Sequence, residues 1–76
     1  MKEILETIII NLVDNKQAVE IKEVNEEKSI IFEVKVAEGD MGKIIGKQGR
    51  LAKSIRTVMK AVAVKEQKKV SVEFIG

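Results

Sequence analysis

The sequence predicts an α+β fold, a two-layer sandwich in which helices cover one face of a three-stranded sheet. Stretches with apolar residues at helical spacing are interspersed with three short stretches in which apolar and polar residues alternate, in the order α-β-β-α-α-β. The chain has 76 residues, of which 45% are hydrophobic. This length suits one domain with one core, so we expect a single domain over residues 1–76.

The first half of the chain predicts a helix followed by a hairpin. Residues 1–14 carry apolar side chains at helical spacing, at Ile4, Leu5, Ile8, Ile9, Leu12 and Val13. Residues 17–24 alternate weakly and residues 29–36 alternate more cleanly, with the polar residues 25–28 between them. Two such runs across a short polar link predict an antiparallel hairpin.

The second half predicts two helices and a last strand. Residues 38–45 form a short helix that has Asp40 as a candidate N-cap and ends at Gly46. Residues 50–65 form the longest helix, and residues 69–75 alternate as a strand. The apolar arc of the longest helix comprises Leu51, Ala52, Ile55, Val58, Met59, Val62 and Ala63.

The composition excludes several classes of chemistry. The chain has no cysteine and no histidine, which removes disulfides, Cys/His zinc sites and imidazole acid–base catalysis. We therefore expect no enzyme, no metal and no cofactor. No signal peptide and no apolar run of membrane-spanning length is evident, so we expect a cytoplasmic protein without a membrane partner.

The charge is unevenly distributed along the chain. Residues 41–65 contain seven basic residues and no acidic one, whereas residues 1–40 contain five basic and ten acidic residues. Unopposed positive charge in one third of the chain indicates an anionic partner for that segment.

The stretch Gly46-Lys47-Gln48-Gly49 lies between two predicted helices, inside this basic segment. Glycines permit a sharp turn and let a foreign backbone approach closely, because they carry no Cβ. The stretch leads into the N-terminus of the longest helix, whose free N–H groups favour an anion. With the charges of Lys47 and Arg50, it predicts a clamp for a phosphate backbone.

Other glycine motifs fit less well. A P-loop requires four residues between its glycines and a Ser or Thr after the lysine, but Gly42 and Gly46 are separated by three and Gln48 follows Lys47. A dinucleotide-binding fingerprint fails because residue 44 is Ile. A DNA-binding helix-turn-helix remains an alternative, as does a purely structural role in which Gly46 caps a helix and Gly49 forms a turn.

The run from Ile44 and Ile45 through Gly46-Lys47-Gln48-Gly49 to Arg50 resembles the I-I-G-x-x-G signature of the KH family of RNA-binding domains. The α-β-β-α-α-β order is similar to the type II KH arrangement. The resemblance covers the whole chain and extends to the small bacterial KhpA family, through the stretch GKIIGKQGRLAKSIRTVMKAVA.

The resemblance implies binding of single-stranded RNA in a narrow groove of about four nucleotides. Gly46 and Gly49 would permit the approach, and Lys47 and Gln48 would bind phosphates. Ile44 and Ile45 would line the groove or its floor, with residues 29–36 as the opposite wall. Independently of the resemblance, the basic residues Lys43, Lys53, Arg56 and Lys60 could extend the phosphate contacts, and Arg50 is a further candidate. The alternative for these residues is a solvated helix face.

The family also implies a homodimer or a complex with a KhpB-type KH protein, an RNA chaperone or regulatory role, and a part in cell-envelope growth. Phe32 and Phe74 are the only aromatic residues and both fall on predicted core faces, so we expect weak, salt-sensitive binding without aromatic stacking. The alternative is a protein-interaction or dimerisation module with vestigial RNA binding, which would use Ile10, Ile31 and Ile75.

Overall fold

The computed structural model describes residues 1–75, so residue 76 of the predicted domain lies outside the described part. It has the predicted α+β architecture and the predicted order of elements. The helices are α1 (Lys2–Ile10), α2 (Glu38–Ile45) and α3 (Arg50–Lys65), and the strands are β1 (Glu20–Asn25), β2 (Ser29–Lys35) and β3 (Lys69–Ile75). Single turns of 3-10 helix occur at Lys16–Ala18 and Lys47–Gly49.

The sheet has the strand order β1-β2-β3, with β2 in the centre. β1 and β2 pair antiparallel, as the predicted hairpin requires, with Ile21 opposite Val34. β3 pairs parallel to β2, with Val72 opposite Phe32. A parallel partner requires a crossover connection, and α2 and α3 make up this one. The crossover therefore places the glycine turn between two helices that cover the sheet.

The core lies between the helices and one face of the sheet. β2 and the residue after it contribute every second side chain to it, and the helices contribute residues three and four apart. The core residues are Leu5, Ile9, Val13, Ile30, Phe32, Val34, Val36, Ile44, Ile55, Met59 and Val72. The alternation predicted for residues 29–36 is thus confirmed by burial.

One member of the predicted apolar arc of α3 is exposed. Val58 is 45% exposed, whereas Ala52, Ile55, Met59 and Ala63 are buried. The buried four recur at intervals of three and four and define a narrow stripe, and Val58 lies at the outer edge of the wider predicted arc.

Helix α1 is shorter than predicted and ends at Ile10 instead of residue 14. The backbone N–H groups of Asp14 and Asn15 donate to the side chain of Asp40, at 3.2 and 3.0 Å. These N–H groups therefore do not donate to the carbonyl groups four residues earlier, which are the bonds that would have continued the helix. The following turn at Lys16–Ala18 delays β1, which begins at Glu20 rather than at residue 17.

The predicted N-cap role of Asp40 is wrong. Helix α2 begins at Glu38 with Ala37 at the N-cap, which makes no side-chain cap hydrogen bond in the described structure. Asp40 lies within the first turn of α2 and is only 4% exposed. Its carboxylate instead accepts from the backbone N–H groups of Asp14 and Asn15, which follow α1, across a long sequence separation that local patterns do not encode.

Candidate nucleic-acid interface

The turn between α2 and α3 depends on two glycines with positive φ. Gly46 has φ 68° and ψ −168°, a conformation that only glycine adopts readily. Gly49 has φ 73° and ψ 13° and lies in the left-handed helical region. Gln48, between them, also has a left-handed conformation, with φ 56° and ψ 26°. The sequence Gly-Lys-Gln-Gly thus forms the sharp corner that its composition predicts.

The two glycines have different surroundings. A Cβ on Gly46 would lie 3.0 Å from the Cβ of Leu51, at the first turn of α3, so the chain packs closely on itself there. A Cβ on Gly49 would meet nothing within 4 Å. Gly46 therefore allows α2 and α3 to pack together, while Gly49 leaves open surface beside the helix terminus.

The corner projects its polar side chains outward. Lys47, Gln48 and Arg50 are all exposed. The first turn of α3 has no acidic residue, and its N-cap, Gly49, makes no side-chain cap hydrogen bond within residues 1–75. The positive end of the helix dipole, its free N–H groups and two cationic side chains are therefore presented together, which is an arrangement suited to a phosphate.

The two isoleucines before the loop have separate roles. Ile44 is completely buried in the core, so it has no surface for a direct contact with RNA and supports the loop from beneath. Of the two places predicted for Ile44, the groove or its floor, its burial fits the floor. Ile45 is 41% exposed next to Gly46 and offers an apolar surface at the edge of the loop.

Lys43 is engaged with acidic residues that lie outside the acid-free segment. Its ammonium group is paired with the Asp14 carboxylate and lies 3.6 Å from Asp40 Oδ1. The hydrogen bond with Asp14 raises the pKa of Lys43. The backbone N–H groups of Asn15 and Asp14 hold the pKa of Asp40 below its ordinary value. Lys43 is therefore less available to a phosphate than its place in the sequence predicts.

The basic residues of α3 continue the positive surface along the helix. Lys53, Arg56 and Lys60 are exposed and recur at intervals of three and four, so they lie along one side of α3. Arg56 is tied to β3, because its Nε donates to the backbone carbonyl of Val72 at 3.1 Å. Its guanidinium carbon lies 5.2 Å from the centre of the Phe74 ring.

A cleft lies between α3 and the outer edge of β3. It is lined by Arg56, Lys60 and residues 70–73. The resemblance implied residues 29–36 as the wall opposite the helices. In the structure β2 is flanked by strands on both sides, and its alternate side chains are buried in the core. β3 is the edge strand beside α3, so it is the strand that can form this wall.

The sequence predicts Arg56 at the border of the apolar arc of α3, as a candidate for extending the phosphate contacts, and Phe74 on a core face. Phe74 is in fact half-buried, with Arg56 above its ring. The available signal was the position of Arg56 at the edge of a buried stripe, but its partners on β3 become apparent only in three dimensions.

No metal-binding cluster of His, Cys, Asp and Glu residues occurs within residues 1–75. None of the helices in this part of the chain combines the length and apolar character that a membrane span requires.

Comparison with known proteins identifies close relatives. A protein called "RNA-binding protein KhpA" from Clostridium acetobutylicum is 63% identical over 75 residues, which are 99% of this chain and all of the relative. Its counterpart in Clostridium perfringens is 60% identical over the same lengths. The protein of that name from Aquifex aeolicus is 40% identical, over 99% of this chain and 95% of the relative. No solved structure matches the chain.

The model of the family described as "KhpA/KhpB, KH domain" matches residues 2–74. The matched region includes all three helices, the glycine corner and nearly the whole sheet. The element order is that of the type II KH fold, as the resemblance implied. On the family match and the near full-length relatives, the chain belongs to the KhpA/KhpB family of KH-domain proteins.

Proposed function

We propose that this protein binds single-stranded RNA, with the sugar-phosphate backbone against the corner Gly46-Lys47-Gln48-Gly49. The observation that carries the proposal is the open surface beside Gly49, between exposed cationic side chains and the uncapped start of α3. A backbone can approach there without meeting a Cβ, and the site has the charge to bind it. The names of the relatives, which describe RNA-binding proteins, support the same ligand.

Phosphate contacts should provide most of the affinity. The chain contains no Trp or Tyr, and its two Phe side chains are occupied, Phe32 in the core and Phe74 beneath Arg56. Aromatic stacking, which contributes about 1–3 kcal/mol per base elsewhere, is therefore limited. We expect weak binding by one copy and a strong dependence on salt concentration.

A double charge reversal in the corner tests the proposal. The variant Lys47→Asp with Gln48→Asp should abolish binding of a single-stranded RNA oligomer, measured by fluorescence anisotropy at low salt. Its melting temperature should change little, because both side chains are exposed and Asp tolerates the left-handed conformation at residue 48.

The chain offers a closely matched control for this variant. Lys16 and Gln17 are also adjacent and exposed in a single 3-10 turn. Lys16→Asp with Gln17→Asp changes the net charge by the same amount at another place. Equal losses of RNA affinity in the two double variants would mean that only net charge matters, and would contradict a site at the corner.

A second candidate function is protein interaction or dimerisation. Several large apolar side chains are exposed, namely Ile4, Val58, Val64 and Ile75. They favour a homodimer or a complex with a KhpB-type partner, which would also strengthen weak RNA binding through two linked sites. Sedimentation with and without RNA distinguishes the candidates, since a tight dimer without RNA affinity at low salt would favour interaction as the main function.

The family resemblance supports a cytoplasmic RNA chaperone or regulator with a role in cell-envelope growth. Crosslinking of the protein to RNA in cells, followed by sequencing, tests this role. Recovery of transcripts that encode envelope functions would support it, and recovery of no RNA above background would contradict it.

A further inference from the structure

The guanidinium group of Arg56 is held in place by two contacts. Its Nε donates to the carbonyl oxygen of Val72 at 3.1 Å, and its guanidinium carbon lies 5.2 Å from the centre of the Phe74 ring. Both contacts are with β3, so the side chain bridges the helix and the edge strand. An arginine restrained in this way loses less conformational freedom when it binds a ligand than a free surface arginine.

Most of the donor groups of Arg56 remain available. Arginine carries five N–H donors, and only Nε has a hydrogen-bond acceptor within residues 1–75. Arg56 is exposed and lines the cleft between α3 and β3, together with Lys60, Ser71 and Glu73. The cleft has a volume of about 290 Å³.

The carboxylate of Glu73 distinguishes this cleft from the glycine corner. Like charges repel, so the carboxylate in the lining makes this position less favourable for a phosphate than the glycine corner, which has no acidic residue. A neutral group with both acceptors and donors is favoured instead, because Arg56 donates and Glu73 accepts. A nucleobase has this character, whereas the sugar-phosphate backbone does not.

The cleft is also within reach of RNA held at the corner. Arg56 is seven residues beyond Gly49 and lies on the same side of the helix. At a rise of about 1.5 Å per residue this places Arg56 about 10 Å along α3 from the corner. Bases attached to a backbone clamped at Gly49 could therefore enter the cleft.

We propose that Arg56 determines base specificity by binding a guanine base in the cleft between α3 and β3. The inference rests on the proposed RNA binding and adds the class of base that is recognised. Guanine presents adjacent O6 and N7 acceptors, which an arginine contacts through two parallel hydrogen bonds. The Glu73 carboxylate accepts from the N–H groups on the other edge of the base. Arg56 thus supplies by hydrogen bonding the selectivity that aromatic stacking does not provide.

Single substitutions in a short oligomer test the proposal. Seven-nucleotide oligouridine is compared with versions that carry one guanine, adenine or cytosine at each position in turn, by fluorescence anisotropy at fixed salt. We expect the best-placed guanine to increase affinity roughly tenfold, since a two-bond arginine contact discriminates by about 1–3 kcal/mol. One guanine per strand avoids structures formed by guanine runs.

The only two arginines of the chain provide matched variants. Arg56→Lys keeps the charge but loses the paired donors, so the guanine preference should disappear while oligouridine still binds. Arg50→Lys should weaken binding of all oligomers by one common factor and keep the preference. Glu73→Gln should reduce the preference without reducing affinity for oligouridine.

A spectroscopic measurement on the unmodified protein covers the case in which Arg56→Lys fails to fold. The ¹⁵N-detected Nε–H signal of Arg56 should shift with the guanine oligomer and not with oligouridine. The proposal is overturned if the unmodified protein has no guanine preference, if Arg56→Lys retains that preference, or if the Nε–H signal responds equally to both oligomers. Absence of binding to every oligomer would instead overturn the proposed RNA binding itself.

Discussion

The buried carboxylate of Asp40 in α2 accepts a 3.0 Å hydrogen bond from the backbone N–H of Asn15, 25 residues earlier in the chain. A second bond, from the N–H of Asp14, reaches its other oxygen at 3.2 Å. These bonds hold the residues that follow α1, and they attach the segment before β1 to the helix that leads into the glycine corner. Asp40 therefore links the first third of the chain to the candidate interface.

The variant Asp40→Asn should lower the melting temperature by several degrees. One carboxylate oxygen is replaced by an NH₂ group that faces a backbone donor, and a buried N–H loses its acceptor. Thermal unfolding followed by circular dichroism measures the change. Asp14→Asn serves as the control, because it removes only the side-chain pair with Lys43 at the surface and should have a small effect. Equal melting temperatures for Asp40→Asn and the unmodified protein would contradict the role of Asp40.

Stability should also depend on pH through Asp40. Its pKa is held below the ordinary value of 3.8 by the N–H groups of Asn15 and Asp14. A carboxyl group whose pKa is lower in the folded protein stabilises the fold at pH values above its pKa in the unfolded chain. This contribution is lost as the pH falls through its pKa in the folded protein. The difference in melting temperature between the unmodified protein and Asp40→Asn should therefore be constant near neutral pH and shrink below pH 3.8. A difference that grew in acid would have the wrong sign.

Substitution of the two glycines should separate stability from binding. Gly46→Ala should cost about 2–3 kcal/mol of unfolding free energy, because its backbone conformation is nearly restricted to glycine and its Cβ would crowd Leu51. Gly49→Asn should cost less than about 1 kcal/mol, since Asn tolerates the left-handed region and the space is open. Its side chain would nevertheless obstruct an approaching backbone, so RNA affinity should fall. Denaturant unfolding and anisotropy measure the two effects, and full affinity in Gly49→Asn would show that clearance is not needed there.

Lys43 and Lys47 should contribute unequally to RNA binding. Lys43 is already paired with Asp14 and lies close to Asp40, whereas Lys47 is exposed at the corner. Lys47→Ala should lower RNA affinity at low salt and reduce the slope of log K against log salt by about 0.7, the value for one phosphate of a single strand. Lys43→Ala should change the slope much less. Anisotropy titrations at four salt concentrations provide both slopes, and equal changes would mean that RNA displaces the acidic partners of Lys43.

Local patterns in the sequence predicted most of the secondary structure. The bounds of α2, α3 and β3 agree with the predicted ranges of 38–45, 50–65 and 69–75. Periodicity succeeds there because burial on one face repeats at the helix or strand period. It failed at residues 11–14, whose apolar spacing is helical but whose next N–H groups bind a distant carboxylate.

The same distinction applies to the candidate site, of which one part could be predicted from the sequence and another part could not. The glycine corner and its cationic residues are contiguous in the chain, so their spacing could be read directly, and the I-I-G-x-x-G signature includes the two glycines. The burial of Ile44 and the pairing of Lys43 depend on packing between elements, which sequence spacing does not specify.

The sequence by itself determined the order of the elements, the hairpin, the glycine corner and the unopposed positive charge of residues 41–65. These follow from interactions between residues that are near each other in the chain. Only the tertiary structure decided that β3 pairs parallel to β2 and forms the free edge beside α3, and that Arg56 rests on Phe74. The physical reason is that such contacts arise when the crossover brings distant segments together. The sequence around one contacting residue does not indicate which distant residue it will contact.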